Sequence, residues 1–462
     1  MLETSTPGAP AYTRHRLAWL DQLAYELFRA TGRSQLMQCL WLYDRDVNLA
    51  ALLRTRERFA ALSFNRLIEP SALPWGRPRW VKPAVTAIPL EQSADPLPRS
   101  RLLHWANQHA RAPIDPVIGP AVRMAIQPFD DGSTAVSLVG SHLLLDGLGA
   151  VRAIAAAVNG IGLPSPYAVA GARGRLSGCV SDAWQVLADA PRTVAALARI
   201  AHANWYKSAV PVSRSVAAVA EAGHEPSTIV ELPAVVVTVE SDAWLACQQR
   251  LGGSSNTLLP GFVASLASRL GRRRLSDGAI SLLVPINRRR GLDDERALAI
   301  DFHTMNVAPA GLDTSLRPVN ASLEALVRGA RKSQTGPLAS FLPAIAWMPR
   351  SAAKTLVDRL FNYAGELPAS CSDVGMLPDG LARIDGAPCR QVLTRAVDVN
   401  VTRQDLERSQ GHLVVVASRY GQTISLCIEA CQLGPTQTTP DELRLLVSRT
   451  LADFGLDAII DA

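Results

Sequence analysis

The run Ser133–Leu148, STAVSLVGSHLLLDGL, constrains this chain more than any other stretch of it. Ser133 to Gly140 is an apolar run with the character of a strand, and Pro120 to Phe129 before it is a second one. Between them lies Asp130-Asp131-Gly132, a turn sequence with glycine, so the pair predicts an antiparallel hairpin. The second strand continues directly into Ser141-His142-Leu143-Leu144-Leu145-Asp146-Gly147, and Leu148 to Val158 then reads as a helix. Such a chain must deliver a histidine at a strand end, four residues ahead of a carboxylate and a glycine that open a helix.

The rest of the chain mixes strands and helices without strict alternation. Arg16–Phe28 has the apolar spacing of an amphipathic helix, and Met37–Tyr43 reads as a strand. From about Pro164 to Pro233 the alternation fades around short helical pieces such as Ala183–Ile200. Beyond it come strands at Ala234–Val239 and Ile280–Ile286, helices at Trp244–Leu251 and Thr257–Leu270, then strands near Val392–Val399, Leu413–Ser418 and Thr423–Glu429. A final helix covers Pro440–Leu451. This order predicts an α+β protein with mixed sheets rather than a Rossmann fold. We place an N-terminal lobe over 1–190, a crossover over 191–232 and a C-terminal lobe over 233–462.

Composition narrows the function classes. With 462 residues, 48% hydrophobic and 19% charged, the chain can bury a large core, and disordered, collagenous and disulfide-scaffold classes fall away. The net charge of +6 comes without aromatics interleaved among basic runs, so nucleic acid is not an expected partner. Seven scattered cysteines form no C-x-x-C pair; they read as buried thiols of a reducing, cytoplasmic compartment, with no metal site. No secretory leader or spanning segment is expected, although the basic segment Asp189–Trp205 offers a peripheral membrane contact as the alternative to a lobe-packing helix. Phosphate-loop, nucleophile-elbow and zinc-helix motifs are all missing.

His142-x-x-x-Asp146-Gly147 is the constellation that carries chemistry. Chance supplies on the order of 0.03 such matches in a chain of this composition. An imidazole with an ordinary pKa near 6.5 is mostly neutral at pH 7 and can take a proton from an attacking hydroxyl or amine. A lone histidine is more often a satisfied core residue, but this context favours a general base. Asp146, beside three leucines, reads as half of a buried ion pair that fixes the loop, ahead of a role orienting the imidazole. Gly147 lets the backbone turn or lie close to a neighbour. His303, in Asp301-Phe302-His303, is a second polar candidate, read as structural.

The segment APID at 112–115, GPAVRM at 119–124, and SHLLLDGLG at 141–149 resemble the acyltransferase superfamily of nonribosomal peptide synthetase condensation domains, polyketide-associated acyltransferases and wax ester synthase/diacylglycerol acyltransferases, whose hallmark is His-His-x-x-x-Asp-Gly. Val284-Pro285-Ile286-Asn287-Arg288-Arg289 looks like the family's Val-Pro-x-x-x-Arg strand end, and Ser372-Asp373-Val374-Gly375 like its Ser-Asn-x-Gly segment. The resemblance implies two chloramphenicol-acetyltransferase-like lobes with an active-site tunnel between them. It further implies His142 as general base and Asp146 as structural, with Arg289 as its ion-pair partner and Arg288 as the fallback. Three departures stand out: Ser141 replaces the first His, Asp373 replaces the Asn, and Ala297–Asp301 lacks the Gly-Asn often found there. Ser141, Ser372 and Asp373 are therefore candidate oxyanion or acceptor contacts, with the Ser372 hydroxyl or a backbone N–H favoured over an ionised carboxylate as donor.

The expected function is a stand-alone, monomeric acyltransferase. It would move an acyl group from coenzyme A, or from the phosphopantetheine of an acyl or peptidyl carrier protein, to a small-molecule alcohol or amine in natural-product or lipid assembly. The donor is a co-substrate, and no cofactor is bound permanently. Arg272–Arg274 and Arg288–Arg290 are candidate phosphate contacts, weighed against ordinary solvated charge. A non-catalytic condensation-like module that recruits a carrier protein or partner is the competing class, and a hydrolase sharing the base is a further one.

Overall fold

The computed structural model describes residues 15–162, 165–207, 228–254, 256–291, 294–332, 341–349, 366–432 and 438–461. In chain order the strands are β1 (Ser34–Tyr43), β2 (Leu67–Glu69), β3 (Arg79–Val81), β4 (Leu90–Gln92), β5 (Val122–Pro128), β6 (Thr134–Ser141), β7 (Ala234–Glu240), β8 (Ile280–Asn287), β9 (Ile300–Val307), β10 (Ala369–Met376), β11 (Gln391–Val399), β12 (His412–Tyr420), β13 (Thr423–Cys431) and β14 (Ile459–Asp461). The helices are α1 (Trp19–Thr31), α2 (Leu49–Ala61), α3 (Leu102–Ala110), α4 (Gly147–Val158), α5 (Arg175–Lys207), α6 (Ser241–Arg250), α7 (Leu258–Arg269), α8 (Arg317–Lys332), α9 (Arg403–Ser409) and α10 (Pro440–Asp453).

Two mixed sheets organise these elements into two α+β lobes. The first sheet has the order β11-β1-β6-β5-β4 and the second β14-β7-β13-β12-β10-β8-β9; β2 and β3 form a small separate pair. The predicted hairpin is β5 and β6, antiparallel from Val122↔Gly140 to Pro128↔Thr134. Strand β11 comes from the second half of the chain yet completes the first sheet, pairing with β1 from Ser34↔Val399 to Leu42↔Gln391. The segment placed as a crossover begins inside α5, one helix of 33 residues, and its part at 208–227 lies outside the described residues.

Alternation along the strands sets the layers. In β1, Cys39 and Trp41 join a core with Phe59 of α2 and Ile154 of α4, whereas Leu40 and Leu42 turn to the other face, against Leu103 and Ala106 of α3. In β12, Leu413, Val415 and Ala417 pack into the second core with Phe262 of α7 and Val447 and Phe454 at α10. Cys427 and Val236 of the second sheet meet Leu393 of β11, so the lobes share apolar contact through the strand that crosses between them. Helix α10 begins with Pro440 behind Thr439, whose hydroxyl accepts from the Glu442 N–H while Glu442 accepts from the Thr439 N–H, a reciprocal cap.

Strands β9 and β10 are not expected from the sequence, for a shared reason. Their side chains are largely half-buried or exposed, and Ala369-Ser370-Cys371-Ser372-Asp373 carries none of the β-branched or aromatic bulk that marks strands.

A polar network lies under α3. Arg395 of β11 donates to Gln38 Oε1 at 3.0 Å and to Asn107 Oδ1 at 2.7 Å. Gln38 donates in turn to Ser137 Oγ at 3.0 Å, and His109 Nδ1 lies 2.8 Å from the same oxygen. Burial holds His109 down to about 4, against the pull of Glu91. A histidine whose folded pKa lies below its unfolded value favours the fold in its neutral form, so its contribution is complete above pH 6.5 and is lost as pH falls from 6.5 towards 4. We expect unfolding free energy measured by urea titration to fall by about 1.4 kcal/mol per pH unit across that window. The His109→Gln variant should lose that part of the slope.

Candidate active site

The hairpin strand β6 ends at Ser141, and His142 begins the turn that leads into α4. The His142 N–H donates to the Gln35 carbonyl of β1 at 2.9 Å, which fixes where the side chain departs. Its half-buried ring lines a cavity of about 220 Å³. Burial lowers the His142 pKa; Asp146, a hydrogen bond to the residue's own main chain and the more distant Asp398 oppose that shift.

Asp146 caps α4, accepting from the Gly149 N–H at 2.6 Å. Arg289, just past the end of β8, places Nη2 2.8 Å from Asp146 Oδ2 and Nε 3.3 Å from Oδ1. Both side chains are buried. The Ala299 N–H adds a bond to Oδ2 at 2.9 Å, and the guanidinium also donates to the carbonyls of Asp294, Arg296 and Ala297. Buried charge is tolerated because each polar atom has a partner. Arg288, the fallback, pairs instead with Asp301 at 2.7 Å.

Two further residues hold the same loop. Asp21 of α1, almost fully buried, accepts from the N–H groups of Ala297 and Leu298 at 3.0 and 2.8 Å; burial pushes its carboxyl up against those bonds. Arg66, stacked 3.7 Å from the centre of the Trp80 ring, donates to the carbonyls of Glu295 and Leu144. No local motif marks either residue as a loop anchor: Asp21 stands between Leu20 and Gln22, and Arg66 between Asn65 and Leu67. Gly147 is not the tight position: a Cβ there would meet Val374 at an ordinary 3.8 Å, whereas at Gly149 it would lie 3.0–3.1 Å from Asp146 Oδ1 and the Arg289 guanidinium.

The second lobe supplies the facing wall. Strands β8 and β10 pair only at Ala369↔Leu282 and Ser370↔Leu283. Past that point, Pro285 and Asn287 on one strand and Ser372 and Asp373 on the other line the same cavity as His142. Asp373 Oδ1 accepts from the Gly375 N–H at 2.8 Å. The surrounding protein pushes its carboxyl above the ordinary range, against Gly375 and Arg419. Ser141, which also lines the cavity, is buried, and its hydroxyl accepts from the Leu143 N–H. Away from this polar end the cavity enters the first core, between Cys39, Phe59, Leu138, Val151 and Ile154.

Other candidates fall elsewhere. His303 sits on β9 opposite Val284 and does not line the cavity. Arg272 is buried and donates to the carbonyls of Gln410 and Pro368, and Arg274 pairs with Glu366. With Arg288 and Arg289 also holding internal partners, most of the two arginine clusters serves the fold rather than a phosphate. None of the seven cysteines forms a disulfide, and burial pushes the cavity-lining Cys39 thiol well up, away from a nucleophilic thiolate. Among the described residues, Asp398, His412 and Glu429 bring three metal-type atoms within 4.8 Å. Arg33 and Gln35 already engage Asp398, and the Asp398 N–H engages Glu429, so this group is an ion-paired seam between β11, β12 and β13.

No family model and no curated protein matches the sequence. Solved structures do. The first condensation domain of the calcium-dependent antibiotic synthetase, in complex with a substrate analogue, aligns over 96% of this chain and 99% of its own, with a TM-score of 0.57 at 15% identity. A variant of the starter condensation domain of rhizomide synthetase, in complex with C8-CoA and Leu-SNAC, aligns over 96% and 94%, with a TM-score of 0.53 at 14% identity. The class is thereby set at the level of fold: two lobes arranged as in condensation domains of peptide synthetases.

Asp146→Ala would leave the Arg289 guanidinium buried without its carboxylate. We expect a loss of about 3–5 kcal/mol in stability, read as a lower urea midpoint and a lower soluble yield. A variant that keeps the wild-type midpoint but loses function would move Asp146 from support to chemistry.

Proposed function

We propose that the protein is an acyltransferase that moves an acyl group from a thioester to a hydroxyl or amine, with His142 as general base. The observation that carries this reading is that His142 lines one cavity with Ser372 and Asp373 of the facing lobe at a polar end and with apolar side chains of the first core at the other. An acyl chain fits the pouch by chemistry, because Cys39, Phe59, Leu138, Val151 and Ile154 offer it apolar surface. An acyl-coenzyme A donor is our preferred source, supported by the rhizomide synthetase neighbour that is complexed with C8-CoA; a carrier-bound thioester presents the same reactive group.

In this mechanism the acceptor O–H or N–H donates to His142 Nε2, and its oxygen or nitrogen attacks the thioester carbonyl carbon. The proton passes to the imidazole as the new bond forms. The tetrahedral oxyanion needs a donor, and our candidates are the Ser372 hydroxyl, which lines the same cavity as His142, or a backbone N–H near the β8/β10 opening. Asp373 can donate only in its protonated form, and as a carboxylate it can only accept. The intermediate then collapses, the C–S bond breaks, and the imidazolium returns its proton to the departing thiolate. Asp146, Gly147 and Arg289 support the loop that carries the base.

A general base contributes typically 10²–10⁴-fold, and holding both substrates in the opening supplies the remainder. His142→Ala should therefore remain folded by circular dichroism and lose transfer by about 10²–10⁴-fold, followed by intact-mass and chromatographic detection of product with acyl-coenzyme A and acyl-carrier donors side by side. Undiminished transfer in that variant would remove His142 from the mechanism. Absence of transfer by the wild type with either donor would favour the non-catalytic binding module. Because burial favours the neutral imidazole, the base survives below its ordinary pH range: the acidic limb of kcat/KM should have its midpoint below pH 6.5.

A further inference from the structure

The first-lobe branch of the cavity has a definite depth, because three elements leave the His142 turn in step. On β1 the cavity is lined by Gln35, Met37 and Cys39, and on β6 by Gly140 and Leu138. The two strands pair as Leu36↔Ser141 beside the turn and as Cys39↔Leu138 further in. On α4 the lining runs from Gly147 through Val151 to Ile154. Three residues of antiparallel strand, at about 3.4 Å each, reach about 10 Å. Seven residues of helix, at about 1.5 Å each, reach about 10 Å as well. Phe59 of α2 also lines the cavity, and the preceding residue, Arg58, donates to the Val158 carbonyl at the end of α4, which sets Phe59 towards the inner end.

Beyond that depth the branch is closed. The next pair on the same face of the sheet, Trp41↔Val136, is fully buried and does not line the cavity. Trp41 Nε1 donates to the Leu381 carbonyl at 2.8 Å, which fixes the indole behind Cys39. Ala157, one turn past Ile154 on α4, is likewise buried and outside the lining. At this inner end Cys39, Phe59, Leu138, Val151 and Ile154 offer no hydrogen-bonding group except the Cys39 thiol. An amino, hydroxyl or carboxyl group on a guest would lose its water there without gaining a partner, whereas an aliphatic chain gains by leaving water. Such a chain has bonds of about 1.5 Å at angles near 111°, so each carbon advances it by about 1.3 Å and about eight carbons span the depth.

We propose that this branch selects unsubstituted linear acyl groups of about eight carbons, and that Cys39, Phe59 and Ile154 set the limit. This rests on the acyl-transfer reading of the cavity, but its test is binding rather than transfer, so an error in the assignment of the base leaves the outcome below unchanged. The experiment is titration calorimetry of the full chain with butyryl, hexanoyl, octanoyl and dodecanoyl coenzyme A. Affinity should rise about fourfold per added methylene as far as octanoyl, and dodecanoyl should bind about 10-fold more weakly than octanoyl. An octanoyl thioester with a terminal amino group should also bind about 10-fold more weakly than octanoyl itself. Phe59→Ala deepens the branch and should make dodecanoyl the tighter of the two. Because that truncation can cost the fold, the second variant is Cys39→Met, which raises the floor with an adaptable side chain. With circular dichroism unchanged, it should lower octanoyl affinity by about 10-fold relative to butyryl. The proposal is overturned by affinity that does not vary with chain length, by dodecanoyl or the terminal amine binding as tightly as octanoyl, or by a folded Cys39→Met that keeps the wild-type ratio. Absence of binding by every thioester overturns it too.

Discussion

The Asp146–Arg289 pair is the interaction on which the candidate site depends. Asp146 is simultaneously the cap of α4, the partner of Arg289 and the acceptor for the Ala299 N–H. One carboxylate therefore sets the start of a first-lobe helix against a second-lobe loop. Gly149 must lack a side chain for the carboxylate and guanidinium to pack over it. His142 lies four residues upstream, so the position of the imidazole relative to β8 and β10 is inherited from this contact. Asp21 and Arg66 hold the neighbouring residues of the same loop, which distributes the restraint over three charged side chains from three segments of the first lobe.

The opening beside His142 has an equally local origin. Strands β8 and β10 pair through two residues and then separate, while β12 continues to support β10 through Asp373 before the register shifts. A sheet that opens along one seam places Pro285, Asn287, Ser372 and Asp373 around a space instead of into a ladder. Lobe contact through β11 keeps this geometry from depending on the β8 side alone.

Much of this was legible before the fold. The β5/β6 hairpin follows from two apolar runs around Asp-Asp-Gly, and the turn into α4 follows from a strand meeting Asp146-Gly147. Helix α10 is readable from Thr439-Pro440 with Glu442 at the capping position. Strands β9 and β10 were not legible: β10 opens on small and polar residues, and in β9 the apolar positions change phase between Phe302 and Met305, so neither keeps a period of two along its length. In α5, helical spacing separates Asp182 and Asp189 from Leu176, Trp184 and Leu187, but periodicity records only that two faces differ. Which of them meets the protein is decided by Arg16, Arg77, Arg79 and Arg173, residues distant from the helix face or set in the loop before it, which draw the carboxylates inward.

The sequence by itself determined the chemistry on offer: a histidine at a strand end, a capping aspartate four residues later, and arginines after the strand at Ile280–Asn287. Those are properties of residue type, spacing and local propensity, which short windows encode. Only the tertiary structure decided which arginine meets Asp146, that β11 returns to complete the first sheet, and that Asp21 holds a loop 276 residues away. These are long-range contacts between side chains whose partners have no fixed spacing along the chain, and they are settled only when burial forces each charge to find its counterpart.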